Sequence, residues 1–206
     1  MRWIAAVAAA LVLALLLGGI WFVTRPSDVA DRFEPCRSGA IAGGAGQIGG
    51  PFELVNAQGE TVTDKDVITE PTLLYFGYTF CPDVCPLDTV RNAEAVDLLE
   101  AQGKMVTPVF ITIDPERDTP EAVGDFAHNV HERMIGLTGS PEQIQAASQA
   151  YRTYYKKQDG DDEFYLVDHS TFTYLVLPEY GFVEYFRRDK TPEEVATTAA
   201  CFIDRM

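Results

Sequence analysis

Thr79-Phe80-Cys81-Pro82-Asp83-Val84-Cys85-Pro86 stands between two stretches of different pattern. The apolar run Leu73 to Phe76 before it reads as a buried strand, and the periodic segment Leu87 to Leu99 after it reads as a helix. Two cysteines four apart at a strand-to-helix junction can aim their sulfurs at one point, which suits a disulfide or a soft metal ion. Proline is tolerated only in a helix's first turn and disfavours helical geometry in the residue before it, so Pro82 and Pro86 cannot share one regular helix. The spacing predicts a helix starting near Pro86 with Cys85 as its N-cap. Cys81 to Val84 would then form a turn over the helix's positive end, where the thiolate is favoured.

Working outward, Met105 to Ile113 reads as a second apolar strand, ending in Asp114-Pro115-Glu116-Arg117-Asp118. Thr119-Pro120-Glu121 opens a helix with Pro at its first position. Met134 to Leu137 is a short strand, and Ser140-Pro141-Glu142-Gln143 carries a capping-box pattern. Asp159 to Glu163 is an acidic turn; Tyr165 to Val167 leads into the loop Asp168-His169-Ser170, and Phe172 to Leu177 is a strong strand. Phe182 to Phe186 returns antiparallel after Pro178-Glu179-Tyr180-Gly181, and Thr191-Pro192-Glu193-Glu194 caps the last helix. Near the start, Phe52 to Val55 and Glu60 to Val62 form a hairpin around Asn56-Ala57-Gln58-Gly59. Strands alternating with helices, closed by a hairpin and a helix, predict an α/β thioredoxin-like sandwich with a mixed central sheet over residues 51–206.

From Trp3 to Val23 no residue is charged, long enough for one N-terminal transmembrane helix. Trp3 and Trp21 would lie about 27 Å apart along it, at the two interfaces. An uncleaved anchor over residues 1–24 is expected rather than a signal peptide, because Gly18-Gly19-Ile20-Trp21 is a poor cleavage site. Residues 25–50, polar and then glycine-rich, read as a tether. The formal charge of −15 argues against nucleic acid as a partner, since phosphate binding needs a basic face.

Loops after the carboxyl ends of adjacent strands converge on one crevice in an open α/β sheet. The Cys81–Cys85 loop and the 114–118 loop should therefore be neighbours, with the His169 loop facing the cysteines. Two thiolates and an imidazole suit Cu(I); Cu(II) would want a fourth ligand, and Zn(II) could also bind. His128 and His131, near a helix end with no other ligand type beside them, read as surface residues. Asp114 and Arg117 read as a local ion pair or a partner contact. Cys36 and Cys201 are expected to form a disulfide in an extracytoplasmic domain.

Three ordered motifs carry a resemblance: Tyr75-Phe76-Gly77-Tyr78 running into the cysteine stretch, Asp114 to Pro120, and Val167-Asp168-His169-Ser170. Over roughly residues 50–204 the chain resembles the Sco/SenC family of membrane-anchored copper proteins that assist assembly of the CuA centre of cytochrome c oxidase. The resemblance implies copper bound by Cys81, Cys85 and His169, in the Cu(I) state, the Cu(II) state or both. It also implies the CuA-bearing oxidase subunit as partner, and an inner-membrane, single-pass location with the soluble domain in the periplasm. The runner-up activity is a thiol-disulfide oxidoreductase using Cys81 and Cys85 on that subunit's cysteines. The three-residue spacing and His169-Ser170-Thr171, where thioredoxins place a cis-proline, weigh against a generalist reductase. A peroxidase fits poorly because Thr79 is two, not three, residues before Cys81. A copper or redox sensor has only the reactive pair in its favour.

Overall fold

The computed structural model describes residues 32–37, 47–160 and 164–206, and residues 3, 13, 14, 17 and 18 nearer the start. By contacts the chain divides into residues 1–34 and residues 35–206, and the fold described below is that of the second unit. Nearly all of the anchor expected over 1–24, most of the 25–50 tether and part of the acidic turn at 159–163 lie outside the described residues. Among the described residues no helix is long and apolar enough to cross a membrane.

The elements, in order, are β1 (Glu53–Asn56), β2 (Thr61–Thr63), α1 (Asp64–Val67), β3 (Thr72–Gly77), α2 (Val84–Glu100), β4 (Thr107–Thr112), α3 (Pro120–Val130), β5 (Ile135–Thr138), α4 (Pro141–Ala150), β6 (Tyr155–Lys157), β7 (Val167–His169), β8 (Thr173–Leu177), β9 (Gly181–Phe186) and α5 (Pro192–Ile203). Seven strands form one sheet in the order β2-β1-β5-β4-β3-β8-β9, and β6 and β7 pair separately. Strand β4 is parallel to both β3 and β5, while β1 and β8 join antiparallel on either side. This mixed α/β sheet is a thioredoxin-like arrangement. Every residue of β3 and β4 is buried, which is why both read as unbroken apolar runs rather than alternating ones.

Local chemistry sets the helix starts. Thr119 Oγ1 accepts from Ala122 N–H ahead of α3, with Pro120 in the first turn. Ser140 with Gln143, and Thr191 with Glu194, form full capping boxes for α4 and α5. Helix α3 sits tightly on the sheet at Gly136, where a Cβ would come within 2.2 Å of the Val123 carbonyl oxygen. Helix α2 packs along α5 and on β3 and β4, so its first turn meets the carboxyl ends of those strands. Cys36 and Cys201 are joined by a disulfide with Cα atoms 5.6 Å apart.

Two local expectations are corrected. Helix α2 begins at Val84 with Asp83 as N-cap, so Cys85 lies inside the first turn. Pro86 still fits there, because the first four N–H groups of a helix have no intrahelical partner to lose. His169 ends strand β7 instead of lying in a loop, and its partner β6 went unread because three residues, Tyr-Lys-Lys, carry no strand-like alternation. The four-residue α1 follows directly from β2, capped by Thr63 and Asp66.

Candidate metal centre

Strands β3 and β4 run in parallel register up to the pair Gly77 and Thr112. The chain segments that leave them therefore start side by side. Asp118 ties them together: Oδ2 accepts from Thr79 N–H at 2.9 Å and from Thr112 Oγ1 at 2.5 Å, and Oδ1 from Thr79 Oγ1 at 2.5 Å. Its backbone oxygen takes a further bond from Thr138 Oγ1 at the end of β5. A fully buried carboxylate normally costs stability, and here convergent donors offset the loss of water while burial still pushes its pKa up. The backbone two residues before Cys81 is held by this clamp.

Cys81 and Cys85 are buried free thiols. Cys85 N–H points at Cys81 Sγ over 3.4 Å, the helix start facing a sulfur. The Cys81 thiol is pulled down to about 4, chiefly by the hydrogen bond from the Cys85 side chain, helped by the Asp83 and Cys85 amides against the opposing cost of burial. Cys85 moves the other way, because it donates to Cys81 and has no solvent exposure. The pair is thus one thiolate and one retained thiol.

His169 completes the cluster, with its Nε2 3.3 Å from Cys85 Sγ. Nδ1 lies 2.8 Å from the Ser170 carbonyl oxygen, which only accepts, so Nδ1 carries the proton and Nε2 presents its lone pair to the sulfurs. The rings of Tyr75 and Tyr78 meet the imidazole edge-on at 6.3 Å and 5.8 Å. The two sulfurs and a His169 nitrogen all lie within 4.8 Å of one another, and no other such group occurs among the described residues.

Of the other residues singled out, Asp114 and Arg117 form an ion pair at 2.6 Å in the loop after β4. His131 faces Asp97 at 3.4 Å at the end of α3, apart from the cluster, and His128 lines a different surface cavity. Sequence reasoning gave no site role to Gly77, Tyr75, Tyr78, Asp118 or Tyr165. A glycine closing an otherwise apolar strand was the signal for the first: a Cβ at Gly77 would sit 3.0 Å from Cys85 Sγ. The tyrosines and Asp118 carry no local pattern that separates them from core residues.

The SCO1/SenC family model matches residues 42–204. Protein SenC of Rhodobacter capsulatus is 52% identical over 202 residues, covering 98% of this chain and 91% of that protein. The mitochondrial SCO1 homologue of Homo sapiens is 39% identical over 188 residues, 90% of this chain but only 61% of its own length. Among solved structures, Arabidopsis thaliana ScoI with copper bound superposes with a TM-score of 0.72 at 42% identity, covering 76% of this chain and 99% of that one. Yeast Sco1 with copper bound gives 0.72 at 31% identity, covering 77% and 89%. A family model spanning most of the chain, and relatives that share its fold as well as its sequence, leave one assignment: the chain belongs to the SCO1/SenC family.

Proposed function

We propose that this protein carries one copper ion on Cys81, Cys85 and His169 and hands it to the CuA site of a cytochrome c oxidase subunit. The observation that carries the reading is the convergence of two sulfurs and an imidazole nitrogen within 4.8 Å. Soft thiolates select Cu(I), whereas zinc nearly always takes four ligands. Among the described residues no fourth histidine, cysteine or carboxylate joins the three. A three-donor set suits a cargo that must leave by ligand exchange. In support, the similar Arabidopsis and yeast structures are described as copper-bound, and another relative as one of the Sco family of cytochrome c oxidase assembly proteins. The same proposal has residues 1–24 as a single-pass anchor in the inner membrane, 25–50 as a tether and 51–206 as a periplasmic copper-binding domain. The uncharged run from Trp3 to Val23 supports the anchor, and a Cys36–Cys201 disulfide suits an oxidising compartment.

The test is anaerobic titration of the detergent-solubilised chain with Cu(I) and with Cu(II), after reduction of Cys81 and Cys85, beside His169→Ala and a thiol-blocked control. Stoichiometric binding that needs both thiols is expected, with Cu(II) binding weakened in the variant. Uptake no greater than in the blocked control would sink the copper reading.

The unequal thiols favour a second role. The Cys81 thiolate would attack a partner disulfide, displacing one partner sulfur as a thiolate. Cys85 would then lose its proton and attack Cys81 Sγ, releasing the partner's second thiolate and leaving Cys81–Cys85 oxidised. Stopped-flow reduction of a CuA-site peptide disulfide by the copper-free chain tests it. Reaction no faster than with glutathione would eliminate this role.

A further inference from the structure

The hairpin β6–β7 that bears His169 is not hydrogen-bonded into the main sheet. Its own strands are well paired, with Tyr155 opposite His169, and Ser170 N–H and Gln158 N–H extend the ladder at both ends. What fixes the hairpin against the cysteines is a different set of contacts. Tyr165, four residues before His169 and almost fully buried, donates its hydroxyl to Asp114 Oδ1 at 2.6 Å. The Arg117 guanidinium lies 3.6 Å from the centroid of the same ring, and Arg117 Nε is itself paired with Asp114 Oδ2 at 2.6 Å. Arg117 also approaches the rings of Phe80 and Tyr78, which flank the first cysteine and the imidazole. Lys157 Nζ lies 3.8 Å from the Tyr165 centroid, and Val167 N–H reaches the Tyr78 hydroxyl at 3.3 Å.

We propose that Arg117 and Tyr165 form a clasp that docks the β6–β7 hairpin on the loop after β4 and so sets how closely His169 approaches the two cysteines. Neither residue is a ligand; both are positioning residues. The inference rests on the copper reading above for its consequence, but the docking itself does not. A thiolate pair holds Cu(I) with or without a well-placed imidazole, whereas Cu(II), a harder ion, depends on the nitrogen donor. Loosening the clasp therefore weakens Cu(II) binding selectively. It would also favour release of the third ligand when a partner's donors compete.

The experiment uses the full chain in detergent, comparing wild type with Arg117→Met, which keeps the aliphatic stem, Arg117→Lys and Tyr165→Phe, each with and without His169→Ala. Loss of a well-shielded cation–π contact predicts about a tenfold fall in Cu(II) affinity for Arg117→Met. The Cu(I) affinity should change less than about twofold, and partial recovery is expected in Arg117→Lys. In the His169→Ala background Arg117→Met should add no further loss, because the clasp acts through that residue. A metal-free readout runs in parallel: the imidazole proton shifts of His169, displaced by the Tyr75 and Tyr78 rings, should move toward those of free histidine in Arg117→Met. Equal losses for the two oxidation states, additivity with His169→Ala, or unmoved imidazole shifts would each overturn the clasp. If wild type bound no copper while the shifts still moved, the clasp would stand and the copper reading would fall.

Discussion

The Tyr75 hydroxyl donates to Asp88 Oδ2 over 3.1 Å. Asp88 is buried, with Arg91 at 3.7 Å and Arg188 at 3.8 Å, and burial raises its pKa. Arg91 is bonded in turn to the Arg187 carbonyl and the Thr173 hydroxyl, so the polar network joins α2, β8 and the segment after β9. Tyr75→Phe removes one bond to a charged acceptor and is expected to cost about 1–3 kcal/mol. Asp88→Ala strands the buried Arg91 cation and should cost about 3–5 kcal/mol. Urea unfolding of the two single variants and the double variant checks both figures. The double variant should lose less than the sum, since both changes break the same contact.

That network shows where a sequence stops speaking. The cysteines were legible because proline, spacing and a strand-to-helix change all bear on the same eight residues. His169 was legible only through the order of strands, and its strand was missed because β6 and β7 are each three residues long. Tyr75 and Asp88 lie 13 residues apart, one in an apolar strand and one in a helix, and periodicity alone assigns both to ordinary core or surface. Asp118 reads only as the end of the loop after the second apolar strand, yet it is wholly buried because three strand ends direct donors at it. Contacts of that kind depend on topology and leave no local periodic trace.

The unequal thiols give the reduced protein a pH dependence of definite sign. Folding lowers the Cys81 thiol from an ordinary value of 9.0 to about 4, so between those limits the unfolded chain binds a proton that the folded chain does not. Stability from this group is present above about 9, grows as pH rises through the window and is lost as pH falls through about 4. Cys85, shifted upward, acts only at higher pH, where its retained proton makes stability fall again. Denaturant midpoints measured with both thiols reduced should climb across this window in wild type and climb less in Cys81→Ser. Parallel curves for the two proteins would contradict the assignment of the thiolate to Cys81.

The Cys36–Cys201 bridge closes a loop with a sequence separation of 165 residues. In the chain-entropy account that constraint removes unfolded-state freedom equivalent to roughly 5 kcal/mol. Paired replacement of both cysteines by serine should lower the urea midpoint accordingly, and the copper titration should be unchanged because neither sulfur belongs to the metal cluster. A drop in midpoint with altered copper stoichiometry would show instead that the disulfide supports the site.

Gly77 offers the sharpest test of how the strand end shapes the site. A Cβ there would lie 2.9 Å from Tyr75 Cε1, 3.0 Å from Phe110 Cε2 and 3.0 Å from Cys85 Sγ. The Tyr75 and Phe110 side chains are fully buried and have little room to yield, so some of the displacement must fall on the sulfur. Gly77→Ala is therefore expected to cost about 1–3 kcal/mol by overpacking. Because Cys85 Sγ sits 3.3 Å from His169 Nε2, moving the sulfur also separates two of the three donors. The variant should lose copper affinity well beyond its loss of stability at temperatures where it remains folded. By contrast, Gly103→Ala, at a position with no atom near its added Cβ, should be destabilised only through its positive φ of 76° and should bind copper normally. Measuring unfolding midpoint and Cu(II) affinity for both variants separates crowding at the cysteine from a general effect of replacing glycine. Normal copper affinity in Gly77→Ala would show that the strand end does not hold the sulfur in place.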